Sequence, residues 1–240
     1  MHLHTNETEI ATLPPPLPQR NKNFTGLRWL DGERQAISLP DLRSQLGGRE
    51  IVALDVETFW EKGYDIGSCG GVRPYVEHDK FDITCIGLFT EEWTYSGNPA
   101  HAPMDKLHGR VIVAHNAAFD QACVEEAIRR GILPAVEVGM WICTADACVA
   151  LGYPRDLKGA AYWILGQDLS KQARLDSKGK GRVELLLDDN FVEYCQNDAT
   201  SCYWIANTLF GQWTEQEERY SYLTRKFARY GLKLDRAAAE

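Results

Sequence analysis

Four carboxylates stand where the surrounding pattern calls for apolar side chains. In the run IVALDVET, alternation puts Ile51, Ala53, Asp55 and Glu57 on one face of a strand and Val52, Leu54 and Val56 on the other. In AAFDQACVEEAIRR, Asp120 shares a helical stripe with Cys123, Val124 and Ala127. In DDNFVEYCQNDATSCYWIANTLF, the residues Phe191, Cys195, Cys202, Ile205 and Leu209 form one apolar stripe with Asp198 inside it, and Tyr194 lies one turn earlier on the same face. A buried, unpaired aspartate is costly, so these acids need protons, hydrogen bonds or a cation. Four inward acids with no histidine at comparable positions suit hard divalent cations, Mg²⁺ or Mn²⁺, better than zinc. Two such ions about 4 Å apart activate a water and stabilise the leaving oxygen in in-line phosphodiester cleavage.

Each segment taken alone has a plainer explanation. An acid pair at the end of a strand often does no more than meet a polar loop. Asn116 and Asp120 serve equally well as a helix cap and a first-turn dipole partner. Tyr194 and Asp198 make a reasonable structural pair. None of these explains why three separate elements turn acids inward.

The elements that must position these residues follow from pattern and punctuation. IVALDVET, ITCIGLFT, EEWTY, VIVAH and VGMWICT have strand composition, the last ending near Thr144, and GYDIGSCGGVRPY is a glycine-rich loop. VIVAH runs directly into the helix AAFDQACVEEAIRR, which stops at Gly131. Asn116 and Asp120 therefore sit near the C-terminal end of a strand, where α/β sheets commonly place their sites. The second half is mainly helical, in ADACVALG, DLKGAAYWIL and the long run that carries Asp198. Between the last two lies SKQARLDSKGKGR, with Lys171, Arg174, Lys178, Lys180 and Arg182, which the composition predicts to be a mobile basic loop. Strand and helix alternation gives an α/β fold.

The whole chain sets bounds on what this site serves. Its 240 residues suit one α/β domain with appendages, and 44% hydrophobic with 25% charged residues is enough for a packed core. Residues 1–45 are polar and carry Pro14, Pro15, Pro16 and Pro18, a tail read as a spacer in preference to a docking peptide, with SLPDLRSQL as a short helix at its end. Residues 46–211 form the domain, and 212–240 a helical segment. A formal charge of -8 argues against a protein that coats nucleic acid through bulk electrostatics, and leaves room for an acidic metal site that grips a strand end locally. No apolar run reaches the roughly 18 residues of a membrane span, and MHLHTNETEI lacks the features of a signal peptide, so a cytoplasmic protein with no membrane partner is expected. Seven cysteines with no C-x-x-C pair predict free thiols, with Cys195 and Cys202 in the core.

The three acidic motifs, LDVET, HNAAFD and YCQND in that order, resemble the DEDDy 3′–5′ exonucleases of the ribonuclease-H-like superfamily, most of all the proofreading domain of phage-type family A DNA polymerases. EKGYDIGSCGGVRPYVEHDKFDITCIG and WICTADACVALGYPRDLKGAA resemble the connecting segments of that domain, so the likeness extends over residues 50 to 235. The resemblance implies a mixed sheet flanked by helices, with two divalent cations as cofactors. Asp55 would bridge both ions, Glu57 and Asp198 would complete the site of the catalytic water, and Asp120 would support the second ion. Tyr194 would orient the water, since a phenol with a pKa near 10 is a poor base at neutral pH. Thr58 and Asn116 would contact the terminal nucleotide, and Phe119 would pack nearby or line the site. Arg155, Lys158 and the basic loop would contact phosphates or stay solvated. The implied task is removal of 5′-monophosphates from single-stranded or frayed DNA 3′ ends, as proofreading for a polymerase that is a joined domain or a separate subunit. QEERYSYLTRKFARYGLKLD resembles the joining segment. An RNA exonuclease of the same superfamily is the enzymatic alternative. A non-catalytic replication assembly module is the other, and it would show a missing acid, which this chain does not.

Overall fold

The computed structural model describes residues 50–209 and 212–230. The proline-containing tail, the expected helix in SLPDLRSQL and the last ten residues lie outside them. The strands are β1 (Ile51–Thr58), β2 (Ile83–Phe89), β3 (Thr94–Gly97), β4 (Val111–Ala114) and β5 (Met140–Cys143). They form one sheet in the order β3-β2-β1-β4-β5, antiparallel from β3 to β1 and parallel from β1 to β5. β1 is the central strand. Every residue of β1 except Asp55 is buried, because helices cover both faces.

One face carries α1 (Val72–Glu77) and α2 (Ala117–Arg129), which enclose Val52, Leu54 and Val56 with Cys123, Val124 and Ala127. α2 ends as the sequence predicts: Gly131 takes φ +72°, its N–H bonds the Ile128 carbonyl, and the Ile132 N–H reaches back to Ala127, a two-bond cap that needs a left-handed residue. The other face carries α4 (Leu157–Leu165) and the long α7 (Asp189–Leu209), which cover Ile51, Ala53, Val111, Val113 and Ile142. α3 (Thr144–Ala150) follows β5, α5 (Gln172–Asp176) and α6 (Arg182–Leu185) precede α7, and α8 (Glu215–Tyr230) closes the described chain.

Three expectations change in detail. The glycine-rich loop ends in a helix, α1, whose Pro74 stands in the first turn, where no backbone donor is required. The third strand starts at Thr94, because Glu91 and Glu92 lie in the turn that Thr90 closes through its hydroxyl. The stretch expected to be a mobile basic loop contains α5, ends where α6 begins at Arg182, and is tied to the loop after β1: Trp60 Nε1 donates to Ser177 Oγ at 3.0 Å, and Gly179 N donates to the Trp60 carbonyl at 2.8 Å. Its order comes from partners more than a hundred residues away, which local composition does not register. Among the described residues, no helix is long and apolar enough to cross a membrane, and the cysteines are free, with Cys195 and Cys202 buried.

Candidate active site

β1 and α7 build the acidic centre from opposite sides of one interface. Alternation along β1 turns Asp55 and Glu57 toward the face that α7 crosses, and the apolar stripe of α7 carries Asp198 into the same place. One oxygen from each of Asp55, Glu57 and Asp198 lies within 4.8 Å of the others. The closeness depends on Gly87, the β2 partner of Asp55, because a Cβ there would come within 2.6 Å of the Cys195 carbonyl oxygen on α7. With no side chain to hold it off, the helix packs directly on the strand, and Cys195 Sγ lies 3.9 Å from Asp55 Oδ2.

Asp120 comes from the other layer. α2 packs on the Val52 face, and its first turn starts just past β4, so Asp120 is buried and its Oδ1 accepts the Val56 N–H at 3.3 Å. It joins the others electrostatically. Burial, and then the charges of Asp198, Glu57 and Asp120, lift Asp55 well above the usual carboxylate range. Burial lifts Asp120 well above it too, against the Val56 hydrogen bond. Glu57 and Asp198 rise through burial, opposed by Arg174 and Lys171 respectively.

This donor set fits a hard divalent cation. The groups are carboxylates, they repel one another, and Asp198 Oδ1 is buried with no hydrogen-bond partner, an orphan that a cation would satisfy. Tyr194, half-buried one turn before Asp198, has its phenol pushed up by burial and then by Glu57, Asp198 and Asp55, so it stays protonated at any working pH. A protonated phenol donates a hydrogen bond and does not act as a base.

The other residues singled out in the sequence divide. Thr58 is buried at the end of β1, with its hydroxyl accepting from Tyr75 at 2.8 Å, and Phe119 packs 6.1 Å from the same tyrosine ring. Asn116 is exposed, takes φ +81° and makes no side-chain cap, so its part as a helix cap falls away. Arg155 and Lys158 have their charged ends on Asp146 at 2.8 Å and Asp168 at 3.0 Å. The cations that meet the acids are Arg174, which pairs with Glu57, and Lys171, with Nζ 3.6 Å from Asp198 Oδ2. Burial works against the charge on Arg174, and Glu57 more than offsets it.

Two supporting residues escaped the sequence reading. His115 bridges Thr144 Oγ1 at 3.0 Å and the Arg155 carbonyl at 2.7 Å, and burial lowers its pKa to about 4, so the ring is neutral and pins the ends of β4 and β5 to the following loop. Its place directly before Asn116, at the end of a strand, was the available signal. Trp60, which carries the α5 segment, had none.

No family model and no curated protein sequence matches this chain. Solved structures do. RNase D from Escherichia coli, described as an exoribonuclease involved in structured RNA processing, superposes with a TM-score of 0.53 at 14% identity, over 83% of this chain and 51% of its own. RNase D from Trypanosoma brucei, in complex with the RNA U12, gives 0.52 at 13%, over 83% and 71%. NrnC from Brucella melitensis gives 0.51 at 16%, over 76% and 82%. This chain thus spans about half the length of the first of these relatives and more of the other two. At such identities the likeness is one of fold, and the fold is the α/β, ribonuclease-H-like one with a mixed five-stranded sheet.

Proposed function

We propose that this chain is a metal-dependent 3′–5′ exonuclease that removes 5′-monophosphates from the 3′ ends of DNA. The observation that carries the reading is the convergence of Asp55, Glu57 and Asp198, with Asp120 beside them, on a sheet shared with nucleases. Asp55, Glu57 and Asp198 would hold one divalent cation, and Asp55 with Asp120 a second. Bound there, Mg²⁺ or Mn²⁺ lowers the pKa of water and stabilises charge on the leaving oxygen.

The protein's own groups do the rest. Tyr194, kept protonated, donates toward the attacking water and fixes its direction. Thr58, Asn116 and Phe119, at the ends of β1 and β4, flank the terminal nucleotide. The low dielectric around the four acids strengthens each interaction with the reacting phosphate.

The choice of DNA rests on the motif likeness to proofreading domains, and the likeness of the C-terminal segment to the polymerase junction supports a polymerase as partner, joined or separate. A second reading, an RNA exonuclease, is favoured by the neighbours: two are RNases D, one of them in complex with RNA. End-labelled DNA and RNA strands of one sequence, incubated with Mg²⁺, Mn²⁺ or chelator, test both. Shortening from the 3′ end that chelator stops is the expected outcome, and the faster strand names the substrate. Absence of 3′ shortening with either ion would sink the proposal.

A further inference from the structure

Arg174 and Lys171 pair with two of the acids and are more open to solvent than those acids. The side chains of Glu57 and Asp198 are each 5% exposed, whereas those of Arg174 and Lys171 are 33% and 39% exposed. Each cation is thus the more accessible member of its ion pair. Both are mounted rather than loose. Arg174 stands 5.7 Å over the Trp60 ring, its carbonyl accepts from Ser177 Oγ at 2.8 Å, and that same hydroxyl accepts from Trp60 Nε1. Lys171 stands 5.6 Å over the Tyr194 ring.

We propose that Lys171 and Arg174 are the phosphate-binding residues of this site, gripping the phosphodiester next to the acids, a role that rests on the exonuclease reading. Charge balance supports it. Two divalent cations offset four carboxylates and leave nothing over for the substrate. The phosphodiester brings one negative charge, and the nucleophile brings a second when the water attacks as hydroxide, its proton released to solvent. Lys171 and Arg174 match these two. Arg155 and Lys158 pair with Asp146 and Asp168, which are not among the four acids, whereas the partners of Arg174 and Lys171 are carboxylates that the divalent cations would take over. Arg174 also presents the planar fork that suits two phosphate oxygens at once.

The same contacts give the test a second readout. Arg174 and Lys171 pair with Glu57 and Asp198, so removing either takes one positive charge away from the acids and leaves metal binding equal or tighter. The full chain, Lys171→Gln, Arg174→Gln and Arg174→Lys would be compared for binding of a single-stranded oligonucleotide with Ca²⁺ across a salt series, and for Mn²⁺ binding without oligonucleotide by calorimetry. Each Gln variant is expected to lose about tenfold in strand affinity and to flatten the salt dependence by about 0.7 in log–log slope, one phosphate contact on a single strand. Mn²⁺ affinity is expected to hold or rise, and Arg174→Lys to keep the slope. Gln variants that keep the parental salt slope overturn the proposal. So does weaker Mn²⁺ binding with strand affinity regained at saturating metal, which would mean that Arg174 only positions Glu57. If the parent protein neither binds nor shortens a strand, the exonuclease reading falls and takes this proposal with it; parent activity with indifferent variants refutes this proposal alone.

Discussion

Among the described residues, two charged clusters are built on opposite rules. One joins α8 to α3 and β5. There Glu218 accepts from Arg225 at 3.2 Å and from Trp213 Nε1 at 3.1 Å, Asp146 accepts from Ser221 at 2.6 Å and from Arg155 at 2.8 Å, and Arg225 donates to the Trp141 carbonyl at 2.8 Å. Two acids face two guanidinium groups, and each of the four carboxylate oxygens has a donor. The other cluster sets four acids against two cations and leaves Asp198 Oδ1 with none. Burial opposes the charge of Asp146 too, yet Ser221 and Arg155 bring its carboxyl below the usual range; burial raises Glu218, against Arg225 and Trp213, while Asp55 and Asp120 stand well above the usual range. A cluster that closes its own accounts holds the fold together. A cluster that does not leaves oxygens that could hold a cation, and the surrounding packing absorbs the cost.

The contrast is open to direct attack. The largest expected effect belongs to Asp198→Ala, which should lower 3′ shortening by roughly 10³-fold, the several kcal/mol that metal ions supply to such a transition state. It should do so without lowering the melting temperature of the chelated protein. Gel assay and thermal melt together check this, and full activity would end the assignment. Arg225→Ala should do the reverse. Leaving Glu218 buried and unpaired costs about 3–5 kcal/mol, which hydrogen exchange over residues 215–230 would register, while Mn²⁺ binding at the acids persists.

Gly87→Ala is expected to disturb the support of the acidic cluster, by a smaller amount. The new Cβ meets the Cys195 backbone, α7 shifts, and about 1–3 kcal/mol of stability goes with it. Mn²⁺ affinity should fall in parallel, since the shift separates Asp198 from Asp55. An unchanged affinity would show that the close approach of α7 to β2 is not what assembles the site.

The smallest effect is on pH dependence. With folded-state pKa values of Asp55, Glu57, Asp120 and Asp198 raised above those of the unfolded chain, their contribution is fully present at acidic pH, below the ordinary carboxylate range. It drains away as pH rises through the folded values. The chelated protein should therefore lose melting temperature toward neutral pH, by about 2–4 °C for each kcal/mol. Mn²⁺ should restore it, more at higher pH, where fewer protons compete for the oxygens. Asp55→Asn should flatten the trend in chelator. A melting temperature that climbs with pH in chelator would contradict the raised values.

Much of this was legible in the sequence because it is local. The period of two in IVALDVET assigns Asp55 and Glu57 to one face whatever the strand packs against, and a stripe of Phe191, Cys195, Cys202, Ile205 and Leu209 commits Asp198 to the interior. Gly131 ends α2 for the same kind of reason, a backbone angle that its neighbours avoid. What periodicity cannot supply is the identity of partners across the fold. Composition offers Arg155, Lys158 and the basic loop alike as phosphate contacts or solvated charges, yet the charges of Arg155 and Lys158 go to Asp146 and Asp168, and it is Lys171 and Arg174 of the loop that reach the acids. Arg174 meets Glu57 across 117 residues of sequence. Sequence alone determined which side chains had to be acidic and inward. Only the tertiary structure decided which cations face them, because that depends on Trp60 holding α5 in place and on Gly87 letting α7 lie against β2.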